Sequence, residues 1–271
     1  MSAPTKPFLS IIMGVYNAEK TLKEAIDSVI KQDFQDWEFI IADDGSTDKS
    51  FEILASYKND PRFIILKNEK NLGLAETLNV CIKSARGEYL ARQDADDLSH
   101  PERFTKQLAY LKTNSSIDVL GSAAYLINDD KQVWGKIAYP LAPTISDWVK
   151  RSQIIHPTVL MRTKLIKECR GYDPKALRVE DYELWLRLLH KKAVFRNINE
   201  PLYFFHWSPK DYKRKKYQYR LNEFVMLWKG FRLNRFPLKY YPYILKPLLL
   251  GLLPHCLLKK IHDRMYKTRV F

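Results

Sequence analysis

The 271-residue chain has only three cysteines, Cys81, Cys169 and Cys256, widely spaced and in no CxxC pair. That scarcity argues against a disulfide framework or a thiolate zinc site and fits ordinary thiols in a reducing compartment. There is no GxxxxGK[ST] loop and no GxGxxG turn, so P-loop phosphoryl transfer and dinucleotide redox chemistry fall away. Neither "DDGSTDKSFEI" nor "DADDLSHPERF" has the glycine at loop position six and the closing glutamate of an EF-hand. Repeats and low-complexity tracts are absent. The apolar stretch "FLSIIMGVY" lacks a basic lead and a small-residue cleavage site, which predicts a buried strand rather than a signal peptide.

What the chain does have is 46% hydrophobic residues, enough for one large domain plus an appendage. Its charge is unevenly placed. Residues 1–207 carry 29 Lys and Arg against 28 Asp and Glu, whereas residues 208–271 carry 16 against 3. A neutral body with a basic, apolar-rich tail points to an anionic membrane surface and not to nucleic acid. The expected division is a catalytic domain over 1–207 and a helical, membrane-associating tail over 208–271.

Up to about Gln93, short apolar runs alternate with amphipathic ones. Strands are predicted at Leu9–Tyr16, Trp37–Ala42, Phe63–Leu66 and Tyr89–Ala91, with helices at Ala18–Lys31, Thr47–Tyr57 and Leu74–Ala85 between them. Such β-α alternation implies an α/β fold with a mostly parallel sheet flanked by helices, binding ligands at the carboxyl ends of its strands. Polar loops follow each strand: "VYNAE", "DDGSTD", "NEKNLG" and "QDADD". They form either one site or a set of helix caps, for which Asn17, Ser46 or Thr47, and Asn71 or Gly73 are suitable. Further on, a helix is predicted over Thr105–Lys112, a strand over Asp118–Ile127, an irregular connection over Trp134–Thr144, and a strand over Ile155–Arg162. A loop then leads into a helix within Gly171–Lys192, before two final strands, "AVFRNI" and "LYFFHW".

"ARQDADD" crowds Asp94, Asp96 and Asp97 into four positions. Like charges so close call for solvation on a turn or for a neutralising cation. Alternate positions put Asp94 and Asp96 on one face of an extended segment, and their hard oxygens suit Mg²⁺ or Mn²⁺. Two carboxylates are too few for a closed cage, so substrate phosphates would complete the shell.

Taken in order, "VYNAEKTLKEAIDSVIKQ", "WEFIIADDGSTDKS", "KNLGLAETLN", "GEYLARQDADD", "HPTVLMR" and "VEDYELWLRL" resemble the bacterial family 2 glycosyltransferases of the GT-A fold. The resemblance implies inverting transfer of a sugar from a nucleoside-diphosphate sugar, usually UDP-linked, with a divalent cation as cofactor. Carried over residue by residue, it implies a nucleotide-sugar site of Tyr16, Asn17, Asp44, Gly73, Arg92, Asp94 and Asp96. Asp44 would read the uracil ring, Asp96 would ligate the metal, and Asp94 would lie near the ribose or the metal. Asp97 is expected to cap the following turn, and Arg92 either orients the carboxylates or is a surface arginine. Asp181 of the "ED" pair would be the catalytic base, with Glu180 beside it; the alternative for this pair is an acidic helix start. Weaker expectations place His156 at the acceptor or diphosphate and His206 at the metal or diphosphate, each against a structural role. Trp185 either stacks on the acceptor or lies in the core, as its spacing with Leu188 and Leu189 suggests. The QxxRW motif of processive members is missing, which implies one sugar added per encounter.

In the tail, Tyr217, Leu221, Phe224, Val225, Trp228 and Phe231 form an apolar helical stripe opposed by Lys213, Lys216, Arg220, Arg232 and Arg235. "YYPYILKPLLLGLLPHCLLKK" is interrupted by Lys246, His255 and prolines, so a segment lying in the headgroup region fits better than a span of ~20 residues. A helix packed on the catalytic domain is the alternative. Together these readings predict an enzyme of surface polysaccharide synthesis (lipopolysaccharide, capsule or O-antigen). It would be cytoplasmic, attached to the inner face of the membrane, and would act on a glycan or lipid-linked acceptor. Competing readings are a sugar-nucleotide pyrophosphorylase, whose glycine-rich basic loop is missing here, and a polyanion-binding protein using the tail.

Overall fold

The computed structural model describes residues 6–207, 217–253 and 257. The first half is β1 (Leu9–Val15), α1 (Leu22–Ile30), β2 (Trp37–Asp43), α2 (Ser50–Ala55), β3 (Phe63–Lys67), α3 (Leu74–Ser84), β4 (Tyr89–Arg92), β5 (Leu98–Ser99) and α4 (Arg103–Thr113). Then follow β6 (Val119–Ile127), β7 (Val133–Ile137), α5 (Ile145–Trp148), a 3₁₀ turn at His156–Thr158, β8 (Leu160–Arg162), α6 (Thr163–Glu168), α7 (Glu180–His190) and β9 (Phe195–His206). The extension comprises α8 (Tyr217–Leu233), a 3₁₀ segment at Leu238–Leu245, and α9 (Lys246–Gly251).

The strands form one sheet in the order β3-β2-β1-β4-β8-β6-β9-β5, with β7 paired to β6. The β3-β2-β1-β4 half is parallel; β8 runs antiparallel to both β4 and β6, and β9 parallel to β6. Strands β1, β2 and β4 are buried on both faces, which is why they read as continuous apolar runs, while β3 at the edge is only partly buried. Alternation divides their side chains between two cores. Leu9, Ile11 and Met13 join α1, Leu54 of α2 and Phe104 of α4 on one face, while Ile12, Ile40 and Leu90 join α3, α6, α7 and α8 on the other.

Three expectations need correction. Residues Val133–Ile137, expected within or beside an irregular connection, form β7 of a hairpin with β6. The two final strands are one continuous strand, β9, whose pairing with β6 shifts register around Ile198–Pro201. Pro201 has no N–H to give a ladder, so the strand bulges there instead of ending. The start of the expected strand Ile155–Arg162 is a 3₁₀ turn, with Pro157 inside it.

In the extension, α8 packs on α7 by a face that includes Met226, Leu227, Gly230 and Phe231. A Cβ on Gly230 would collide with the Leu186 side chain, so glycine permits the close approach, and the Asn234 amide donates to the Leu186 carbonyl at 2.9 Å. Of the expected stripe, only Phe231 is buried and Phe224 half-buried. Tyr217, Leu221, Val225 and Trp228 face outward, whereas Arg220 is buried and paired with Glu223 at 3.2 Å. Lys213 and Lys216 lie outside the described residues. No helix among the described residues is long and apolar enough to cross a membrane. Cys81 and Cys169 are buried free thiols, and burial pushes the Cys81 thiol up to about 12.

Candidate active site

The loops after β1, β2 and β3 are tied to one another more than to their own helices. Asn17, at φ +50, accepts the Thr47 N–H at 2.8 Å through its side chain, and its own N–H donates to Ser46 Oγ at 3.0 Å. The helix N-caps are Thr21, Lys49 and Gly73, none with a side-chain capping bond, so Asn17, Ser46 and Thr47 serve as cross-loop ties. Buried Asp44 accepts from the Asn68 amide at 2.9 Å, the Leu72 N–H at 2.8 Å and the Gly73 N–H at 2.9 Å. Gly73 takes φ +86, which few residues with a Cβ adopt. The Asp44 carboxylate thus fixes the loop that enters α3.

This loop floors a cavity of about 590 Å³ lined by Tyr16, Asp44, Asn71, Gly73 and Thr77 and by Leu177, Arg178 and Glu180. Gln218 and Tyr219, from the first turn of α8, also line it. Asn17 lies next to Tyr16 but is not part of the lining.

At the end of β4, the buried Arg92 guanidinium grips both oxygens of Asp94, with one contact at 2.9 Å. Arg92 is thus not a surface arginine: it is buried and holds the Asp94 carboxylate. The Asp94 N–H donates to Tyr203 Oη at 3.1 Å. Asp97, expected to cap a turn, is instead buried: its Oδ1 accepts the His206 backbone N–H at 2.7 Å, and its Oδ2 has no partner. Burial, reinforced by the charges of Asp96 and Asp94, pushes its carboxyl well above the usual carboxylate range. His206 Nε2 is 2.8 Å from Asp129 Oδ1, and its Nδ1 is 3.9 Å from Asp96 Oδ2. Asp94, Asp96 and Asp97 offer oxygens that all lie within 4.8 Å of one another. This all-oxygen cluster, with one buried oxygen lacking a partner, fits a hard divalent cation.

Arg103, which sequence reasoning missed, braces the trio from below. Fully buried, it donates to Ser99 Oγ at 2.9 Å and to the carbonyls of Arg92 at 3.0 Å and Pro157 at 2.9 Å. Burial pulls its guanidinium down to about 10. The signal available was its position: residues 103, 104, 107 and 111 form the inward stripe of α4.

The "ED" pair opens α7. Arg187 holds that helix in place, donating to Glu183 at 2.7 Å and to the carbonyls of Cys169 at 2.6 Å and Gly171 at 2.7 Å. Burial, then the Asp181 charge, raises the Glu180 carboxyl above its ordinary value. The two acidic motifs converge: Arg92 feels Asp94 and Glu180, and the buried Tyr172 hydroxyl feels Arg92, Asp181, Glu180 and Asp94. Tyr172 is held by paired backbone bonds to the Asn79 amide, at 2.8 and 2.9 Å. His156 Nε2 meets Tyr172 Oη at 2.7 Å, and burial with the Arg92 charge holds its imidazole well below 6.5. Trp185, offered as an acceptor platform, is fully buried, edge-on to His156 and Phe195, and no sugar reaches it. Its helical spacing with Leu188 put it in the core.

A doubly wound sheet with a nucleotide-sized cavity and an acidic cluster at its strand ends defines the GT-A class of fold. The chain superimposes on S. aureus TarS in complex with UDP with a TM-score of 0.63 at 23% identity, over 83% of this chain and 69% of that one. The model of glycosyl transferase family 2 matches residues 10–239. EpsE of Bacillus subtilis is 34% identical over 95% of this chain and 94% of its own. The Escherichia coli UDP-Glc:alpha-D-GlcNAc-diphosphoundecaprenol beta-1,3-glucosyltransferase WfaP is 31% identical over 70% of this chain and 74% of its own. The protein belongs to glycosyl transferase family 2.

Proposed function

We propose that this enzyme is an inverting glycosyltransferase that moves one sugar from a UDP-sugar to a hydroxyl of a glycan or lipid-linked acceptor during surface polysaccharide synthesis. The observation that carries the reading is the cavity lined by both Asp44 and Glu180 at the strand ends, together with the Asp94, Asp96 and Asp97 oxygen cluster, in which Arg92 grips Asp94. The acceptor hydroxyl attacks the anomeric carbon, the bond from that carbon to the diphosphate breaks, and Asp181 takes the hydroxyl proton. A positioned base contributes ~10²–10⁴-fold. Asp94 and Asp96 would hold Mn²⁺ or Mg²⁺, which when bound stabilises charge on the departing diphosphate. The likeness to WfaP, a UDP-Glc:alpha-D-GlcNAc-diphosphoundecaprenol glucosyltransferase, supports a UDP-linked donor and an acceptor on a lipid diphosphate.

The extension serves as a peripheral attachment to the inner, cytoplasmic face of the cell membrane. Support comes from its surface: Leu238 is 81% exposed, Leu252 72% and Leu249 63%, amid Lys229, Arg232, Arg235 and Lys239. Exposed leucines among basic side chains suit anionic headgroups over a shallow apolar layer. The catalytic reading is tested by screening UDP- and GDP-sugars with Mn²⁺ or Mg²⁺. Metal-dependent release of the nucleoside diphosphate is expected, and no binding of any nucleotide sugar in either metal overturns it.

A further inference from the structure

Six non-glycine residues among those described have positive φ: Asn17, Lys131, Arg170, Arg178, Lys192 and Arg235. Five have local explanations. Asn tolerates this region, Lys131 sits in the β6–β7 hairpin turn, and Arg170, Lys192 and Arg235 each lie just past a helix C-terminus, where the left-handed conformation is common. Arg178, at φ +63, is at none of these places. It is the third residue of a turn closed by the Val179 N–H to the Ala176 carbonyl at 3.2 Å, leading into α7. A turn with positive φ at its third position takes glycine most easily, and an L-residue there is strained. An exposed arginine held against its backbone preference calls for a reason in its side chain.

The cavity supplies one. Of the described residues lining it, Arg178 is the one basic side chain, in a lining that also includes Asp44 and Glu180. The donor named above is anionic at its diphosphate and neutral at its nucleoside and sugar. Arg92, the buried arginine nearby, is committed to Asp94. A planar fork of donors is the side chain that best meets phosphate oxygens.

We propose that Arg178 binds the diphosphate of the nucleoside-diphosphate donor, and that the strained turn persists because the guanidinium is needed in that lining. The inference rests on the donor class proposed above and adds a residue outside the acidic motifs. Three forms of the full chain decide it: wild type, Arg178→Gly, which relieves the backbone and removes the guanidinium, and Arg178→Ala, which removes only the guanidinium. Binding of UDP is read by calorimetry and of uridine by ligand-observed NMR; GDP and guanosine replace them if wild type prefers GDP. Expected is a UDP affinity about tenfold to hundredfold weaker in both variants with uridine binding unchanged. The melting temperature should rise by about 2 °C in Arg178→Gly alone. Unchanged UDP affinity in both variants, or equal losses for UDP and uridine, overturns the assignment while leaving the donor class standing. If wild type binds neither nucleoside diphosphate, the donor class itself fails and the assignment with it.

Discussion

Asp94, Asp96 and Asp97 occupy four positions of sequence and three different environments. Asp94 is gripped by Arg92, Asp96 stands about half exposed near His206, and Asp97 is buried with its carboxyl pushed upward. Crowding was legible in the sequence; the division of labour was not, because it depends on Arg92 being buried beside Asp94 and on the His206 N–H arriving from distant β9. The proposed roles make opposite predictions for two substitutions. Asp181→Asn should lower kcat by ~10²–10⁴-fold with UDP affinity retained, while Asp96→Ala should lose the metal-dependent part of donor binding. Normal turnover by Asp181→Asn would remove the base from that position. His156 gives a pH prediction. Its imidazole is held well below 6.5 in the fold, whereas an unfolded chain titrates near the ordinary value. Its contribution to stability is therefore present above pH ~6.5 and is lost as pH falls below it, because the unfolded chain takes up a proton the native state refuses. His156→Gln keeps an acceptor for the Tyr172 hydroxyl, and its melting temperature should fall less steeply than that of wild type between pH 7.5 and 5.

At the scale of elements, β1, β2 and β4 were readable because burial on both faces leaves unbroken apolar runs such as "FIIA". β7 was not, since "VWGKI" has a glycine and a lysine among its five residues and pairs with β6 alone. β9 looked like two strands because "NEP" interrupts it, yet the register shift against β6 absorbs those residues. The Asp97 carboxylate clamps the far end of that strand, so His206 is presented to the acidic cluster by a backbone bond rather than by loop chance. The face by which α8 packs was hidden for a related reason. Hydropathy favoured Tyr217, Leu221, Val225 and Trp228, but close packing chose the side where Gly230 leaves room for Leu186. Gly230→Val should force the two helices apart, at a cost of about 1–3 kcal/mol. A lowered melting temperature and faster proteolysis of the extension would show it; an unchanged melting temperature would mean that the contact is not tight.

Over the whole molecule, the described part of the basic C-terminal stretch is a helical layer packed against one core of the sheet domain. The proposed membrane attachment predicts sedimentation with anionic vesicles that weakens as salt rises, and weak retention on neutral ones. Replacing Leu238, Leu249 and Leu252 together by glutamate should abolish sedimentation without lowering the melting temperature, because all three side chains are largely exposed. Retention of vesicle binding by that variant would move the attachment elsewhere. One property of α8 then acquires a geometric meaning. Its first turn places Gln218 and Tyr219 in the cavity wall, and Trp228 emerges on the outer surface along the same rigid rod. At 1.5 Å per residue, Tyr219 and Trp228 are separated by about 14 Å along the axis. Under the proposed attachment the helix acts as a ruler: whatever its outer surface rests on sets the reach from which the proposed acceptor must arrive. Cutting the chain after Trp207 would remove the ruler and part of the cavity wall together.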